Sequence, residues 1–275
     1  MSPPHVAVAN HKGGVGKTGL AQGLVTAAAE AGQRVLVVDM DSQGNLTRRL
    51  RARVPQAPEE RAHASLASVL QRPAVGEVER ILVPCGYDDP VYSERITIAP
   101  GHLELELLAL TAGTAASEKR LLRALHGVSD AFDLVVIDCP PQLLSHQIDI
   151  AFSAADVLLL PCEPEYDAVE SARRIYERID RDRHTLNPDL AVAGVVPNRV
   201  RSNLVVHQKR LGQMSDMWGL AVCPVHVTEL VAIKNQSENA QPLRSDGTDG
   251  RKAADTFRDV YDWARPRIDA VMGRA

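Results

Sequence analysis

The sequence predicts an α/β fold, a mostly parallel, twisted sheet with helices on both faces. Two observations predict it. Short apolar runs rich in valine and leucine alternate with longer helical patterns, the signature of strand-helix-strand units. Most of these runs are uniformly apolar rather than alternating, as strands covered on both faces must be. A chain of 275 residues, 45% hydrophobic and 24% charged, can bury one large core, so disorder is excluded and a single domain over residues 1–275 is the simplest account.

In chain order, strands are expected at residues 5–10, 34–39, 96–99, 133–138, 157–161 and 191–197, each a run of branched or aliphatic side chains. Helices are expected at 17–31, 103–110, 116–126, 168–181, 204–217 and 250–264. In the last, Phe257, Val260, Tyr261 and Ala264 recur at helical spacing and form a core-facing stripe. Residues 51–90 carry prolines at 55, 58, 73, 84 and 90 and read as a surface excursion between strands. The cysteines Cys85, Cys139, Cys162 and Cys223 lie far apart and the histidines are scattered, so neither a disulfide framework nor a zinc site is suggested. No run spans a bilayer and no signal peptide opens the chain, so a cytoplasmic protein is expected. A net charge of -4 leaves room only for a local basic patch.

The first strand runs into Asn10-His11-Lys12-Gly13-Gly14-Val15-Gly16-Lys17-Thr18-Gly19, and a helical pattern follows at once. Strand, glycine-rich turn and helix start are the context of a phosphate-binding P-loop. Glycines let backbone N–H groups converge on phosphate oxygens, and the helix N-terminus adds unpaired donors. Lys17 neutralises the β- and γ-phosphates of ATP in this reading, and the Thr18 hydroxyl ligates Mg2+. The general G-x-x-x-x-G-K-[ST] pattern wants glycine where His11 stands, so the loop is a variant with an extra lysine, Lys12. The second strand ends in Asp39-Met40-Asp41, whose two acids project from the carboxyl edge where open sheets bind ligands. One can hold a metal-bound water and the other orient the attacking water.

Lys12-Gly13-Gly14-Val15-Gly16-Lys17-Thr18 resembles the deviant Walker A motif of the ParA/MinD family of ATPases, with Lys12 as its signature lysine. Asp39-Met40-Asp41-Ser42-Gln43-Gly44-Asn45 resembles the family's D-x-D-P-Q-G-N segment, which gives Asp41 the hydrolytic role, with Ser42 in place of the usual proline. The run ending Asp138-Cys139-Pro140-Pro141 resembles its Walker B strand and makes Asp138 a magnesium residue through water. The resemblance further implies Asn198 at the adenine edge and Pro224-Val225 walling the base pocket. It implies an ATP-dependent homodimer in which Lys12 of each copy reaches the other's phosphates.

For a partition ATPase the resemblance implies nonspecific DNA and a centromere-bound, ParB-type adaptor as partners, with nucleoid association in the ATP state. Arg201-Ser202-Asn203-Leu204 resembles the family's R-x-N-L segment, and Arg199, Arg201, Lys209 and Arg210 form the candidate DNA patch. A second family segment, P-R-N-V-R, is not matched by Thr228-Glu229-Leu230-Val231-Ala232; Lys234, Arg244, Arg251 and Lys252 could substitute. The first strand begins near residue 5, so the chain is expected to resemble the short form without a helix-turn-helix extension. The alternatives are a MinD-like membrane switch and a P-loop ligase or small-molecule kinase. The first is disfavoured by Pro266, expected to interrupt the terminal helix and leave only Ile268, Val271 and Met272 as anchors. The second would need a substrate pocket that no residue cluster specifies.

Overall fold

The computed structural model describes residues 2–182, 184–229 and 231–273. Its elements are β1 (His5–Val8), α1 (Lys17–Glu30), β2 (Val35–Asp39), α2 (Asn45–Arg49), α3 (Pro58–His63), α4 (Leu66–Gln71), β3 (Val83–Pro84), α5 (Pro90–Ser93) and β4 (Ile96–Ala99). There follow α6 (Arg120–Leu125), β5 (Leu134–Asp138), α7 (His146–Ala154), β6 (Val157–Cys162), α8 (Tyr166–Asp182), β7 (Ala191–Val200), α9 (Val205–Trp218), β8 (Val227–Thr228), α10 (Val231–Asn239) and α11 (Gly247–Val271). Among the described residues the strands form one sheet in the order β3-β4-β2-β5-β1-β6-β7-β8, parallel except for the β3–β4 pair. This is the expected fold class.

The uniform burial of the strands has the expected cause. Ala7, Leu36, Val38, Val135, Ile137 and Leu158 face one core with α4, α6, α7 and α8. Their neighbours Val6, Val35, Val37, Val136 and Leu159 face a second core with α1 and α11. Each such side chain contributes roughly 1.5–3 kcal/mol on burial. In the second core Gly23 gives the Phe257 ring its place, because a Cβ there would lie inside it. Phe257, Val260, Tyr261 and Ala264 are buried as the helical stripe requires.

Three expectations are corrected. Residues 51–90 are no mere surface excursion: Leu66, Val69, Leu70 and Val78 are fully buried in the first core. Residues 103–110 form a 3-10 helix, Leu103–Thr111, rather than an α-helix. Pro266 does not interrupt the terminal helix, which runs through it to Val271. A proline forfeits one backbone hydrogen bond, but Ala264 and Ile268 on either side of it are buried, and Arg265 pairs with Asp269 at 2.9 Å across it. Tertiary packing overrides the local cost.

Strand register positions the functional edge. β5 lies between β2 and β1, with Asp39 opposite Asp138 and Val8 opposite Asp138. The acids of two strands and the loop leaving the third therefore meet at one carboxyl edge.

Candidate active site

The loop after β1 is held by its own sequence. Asn10 donates from Nδ2 to Pro161 O at 2.7 Å and accepts the Lys12 N–H at 3.1 Å. His11, in the place of the usual glycine, accepts the Leu143 N–H at 3.2 Å and so ties the loop to the segment after β5. Gly14 and Gly16 adopt φ of 82° and 86°, a left-handed backbone that side chains resist. α1 starts at Lys17 with no side-chain cap and no acid in its first turn, so its free N–H groups point at an anion site.

Lys17 is buried, its Nζ 3.4 Å from Lys12 O. Burial lowers its pKa, against the opposing fields of Asp138 and Asp41. Lys12 sits at the rim and pairs with Glu165 at 2.6 Å. Partial burial works against its charge, but the bond to Glu165 and the field of Glu163 outweigh it and raise the pKa.

The acids differ sharply in their surroundings. Asp39 is fully buried and accepts from Thr47 N at 2.8 Å, Thr47 Oγ1 at 2.7 Å and Asp41 N at 3.3 Å. Burial raises its pKa to about 6, with the Asp41 charge adding and the Thr47 bonds opposing. Asp138 is as deeply buried, and neither of its carboxylate oxygens has a partner at hydrogen-bonding geometry. Burial and the Asp39 charge hold its pKa well above the carboxylate range, while nearby Thr18 and Lys17 pull it down. Asp41 is only half-buried; its Oδ1 accepts from Gln43 N at 3.0 Å and its carbonyl from Gly44 N at 2.9 Å. Ser42 therefore does not open the turn, and its hydroxyl is tied to Glu106 at 3.0 Å.

These residues fit magnesium. A buried carboxylate with unpartnered oxygens calls for a cation, and Thr18 adds a hydroxyl beside it. Among the described residues no cluster of three or more His, Cys, Asp or Glu could hold a metal.

A pocket of about 220 Å3 continues from the loop, lined by Gly14, Gly16, Gly19, Asn198, Thr228 and Ile233 among others. Asn198 reaches it, but its Nδ2 donates to Val15 O at 2.7 Å, which makes it a brace for the P-loop and leaves Oδ1 for a base. Pro224 and Val225 precede β8 and do not line the pocket; Thr228 and Glu229 stand there instead.

Arg199, expected in the DNA patch, contacts the P-loop. Its backbone is left-handed, φ 54°, and its guanidinium donates to Gly14 O at 2.5 Å and pairs with Glu229 at 3.1 Å. Arg201 pairs with the same Glu229. Lys209 and Arg210 lie on α9, the latter over the Tyr166 ring at 5.2 Å. Of the substitutes, Arg244 is held by Glu30 at 2.6 Å and Asp255 at 3.0 Å, while Arg251 and Lys252 are exposed on α11. The Lys234 side chain and Leu230 lie outside the described residues.

Sequence reasoning missed Arg49, Glu165 and Glu229. Arg49 lines the pocket with its Nε buried and unpartnered, its Nη1 placed 3.8 Å from where a Cβ of Gly19 would stand. Burial lowers its pKa, opposed by Asp138. Nothing local in Asn45–Arg49 announces this; it depends on α2 crossing α1.

A family model described as an AAA domain (AAA_31) matches residues 4–192. The chain is 35% identical over 196 residues to the chromosome partitioning protein ParA of Caulobacter vibrioides, covering 70% of this chain and 67% of that protein. The chain belongs to the ParA/MinD-type P-loop ATPases. This ParA-type ATPase is also 33% identical over 196 residues to the sporulation initiation inhibitor protein Soj of Bacillus subtilis, with 70% of each covered. Among solved structures it resembles cobyrinic acid a,c-diamide synthase of Mycobacterium smegmatis with bound ADP and magnesium, at 27% identity and TM-score 0.76, covering 94% of this chain and 93% of that one. An ATP complex of Cyanothece McdA, 21% identical with TM-score 0.78 and covering 100% of this chain and 98% of that one, shares the fold.

Proposed function

We propose that this ParA-type ATPase is an ATP-driven switch of DNA partition, binding nonspecific DNA as a dimer and releasing it on hydrolysis stimulated by a centromere-bound adaptor. The observation that carries the reading is the pair of lysines on one loop: Lys17 buried under it, Lys12 at its rim with an exchangeable partner in Glu165. One lysine serves the nucleotide of its own chain. The other can leave Glu165 for the phosphates of a facing copy, since an exposed ion pair contributes only about 0–1 kcal/mol. Dimerisation is then linked to the triphosphate, because facing nucleotides repel unless cations cross between them.

Within the subunit, Gly13, Gly14, Val15, Gly16 and Gly19 would cradle the phosphates of ATP. Thr18 and Asp138 would hold magnesium; Asp39, expected as a third metal residue, already accepts from Asp41 N on one oxygen and from Thr47 on the other and would instead order the strand end. The ion would supply charge neutralisation at the β- and γ-phosphates. Asp41 would orient the attacking water, and Arg49 adds a cation beside Gly19. The similarity to the partitioning proteins of Caulobacter and Bacillus supports DNA as the partner. Arg201, Lys209, Arg210, Arg251 and Lys252 remain as its phosphate contacts.

A salt titration of duplex DNA binding with ATP, ADP and no nucleotide tests this. ATP is expected to tighten binding, with a log-log slope falling by about 0.9 per phosphate contacted; binding indifferent to nucleotide would overturn the partition reading. A second reading, a small-molecule ligase, is favoured by the cobyrinic acid a,c-diamide synthase neighbour; it predicts ATP turnover that requires an added carboxylic acid rather than DNA. The membrane alternative loses Ile268, which is buried in the core. Among the described residues no helix is long and apolar enough to cross a membrane.

A further inference from the structure

Two strands away from the P-loop, at the carboxyl ends of β2 and β4, lies an open pocket of about 540 Å3. It shares no lining residue with the pocket beside Gly14 and Asn198. Arg48, Arg51, Arg61 and His102 line it, and no carboxylate does. No local string announces it, because these cations come from the end of α2, from α3 and from the turn after β4.

The guanidinium charges are weakly compensated. Arg61 donates to the carbonyls of Pro55 at 3.0 Å and Gln56 at 3.4 Å, which fix the group without neutralising it. Arg48 donates to the neutral Asn45 Oδ1 at 3.1 Å. Arg51 faces Asp88 at 3.6 Å, but that acid is 94% exposed and screened by water. His102 accepts the Glu104 N–H on Nδ1, so its Nε2 carries the proton and is a donor. Arg51 also keeps a left-handed backbone, φ 50°, a sparsely populated conformation for a residue with a side chain.

The walls of this pocket are also the walls of the hydrolytic loop. Ser42, Gln43 and Gly44 line it directly after Asp41. Thr47 donates its hydroxyl to Asp39 and accepts the Gly101 N–H at 2.9 Å, joining the two loops that form the pocket. They touch without slack: a Cβ on Gly101 would lie 2.8 Å from Asp41 O and 2.9 Å from Asp39 Cγ.

We propose that this pocket binds a small multivalent anion, a di- or tricarboxylate or a phosphate ester, and that its occupancy fixes the loop carrying Asp41. The volume falls in the range of about 300–1,000 Å3 usual for small-molecule sites. Convergent arginines suit planar carboxylate and phosphate groups, which they grip through paired N–H donors. A duplex presents its phosphates along a line and does not enter a concavity of this size. The effect on the loop rests on the role given to Asp41 above; the binding itself does not.

The test is calorimetric titration of the full chain saturated with Mg-ADP, which keeps added anions off the P-loop. Citrate serves as the carboxylate probe, glycerol 3-phosphate as the ester probe, and glycerol as the neutral control. One of the two anions is expected to bind with a stoichiometry of one and the control not at all, the stronger of them naming the source. Arg48→Ala and Arg61→Ala are each expected to weaken it about tenfold or more, while Arg258→Ala, on α11, leaves it unchanged. Hydrogen exchange of amides 42–47 is expected to slow on binding. Should Arg61→Ala melt early, Arg48→Ala decides, since its side chain is exposed. Equal affinity in wild type and Arg48→Ala, or binding of neither anion, overturns the site. A short duplex or polyglutamate peptide that outcompetes both anions overturns the small-molecule assignment. None of these readouts depends on DNA partition.

Discussion

The two ends of the carboxyl edge are built in opposite ways. Around β1, β2 and β5 the functional groups are buried and locked: Lys17 under the P-loop, Asp39 bonded to Thr47, Asp138 buried without a partner. Around β7 and β8 they are partly exposed cations that share acids, with Arg199 and Arg201 both on Glu229 and Arg199 also 4.0 Å from Glu163. Apart from Lys12 at its rim, the first end has little conformational freedom and suits a defined chemical step. The second has exchangeable ion pairs and is made for a surface whose charge can be redirected.

The sharpest way to break this contrast is Lys17→Ala. A buried cation facing the phosphates contributes to every nucleotide contact, so affinity for ATP measured by fluorescence competition is expected to fall about a hundredfold. A loss below threefold would mean that the buried end is not the nucleotide end.

A smaller effect is expected at the exposed end. Glu229→Gln releases Arg201 while leaving the P-loop contact of Arg199 to Gly14 intact. DNA affinity in the ATP state should rise about threefold, with a steeper salt dependence by about one counterion. If affinity falls instead, Glu229 positions the arginines rather than masking them.

The smallest effect lies at the opposite end of β1. His5 is buried, and burial lowers its pKa from 6.5, opposed by its bond to Ala154 O and the fields of Asp156 and Asp130. The unfolded chain therefore takes up a proton first as pH falls. Stability from neutral His5 is full above 6.5 and declines below it, so thermal melts should shift down between pH 7.5 and 5.5. In His5→Asn that part of the shift should vanish.

Much of the fixed end was legible in the sequence. Glycine spacing, the lysine pair and the acids closing apolar strands are local strings, and a strand period needs only its own residues. β3 and β8, at two residues each, are too short to announce themselves. What was illegible depends on chain crossings. Lys12 meets Glu165 across 153 positions, Arg199 meets Gly14 across 185, and Arg49 reaches the first turn of α1 only through packing. Arg199 shows this: its neighbours in sequence are those of a basic patch, while in the fold its guanidinium also donates to Gly14 O of the P-loop. Pro266 was misread because a local rule was outweighed by the burial of Ala264 and Ile268.

In the proposed switch, Lys12 at the rim couples assembly to the triphosphate. Sedimentation of Asp41→Ala, which should bind ATP without hydrolysing it, tests this directly when compared with the double variant Lys12→Ala/Asp41→Ala. Dimers of the single variant are expected with Mg-ATP, monomers with Mg-ADP, and monomers of the double variant with either nucleotide. Dimers of the double variant with Mg-ATP, or one mass for the single variant in both nucleotides, would contradict it.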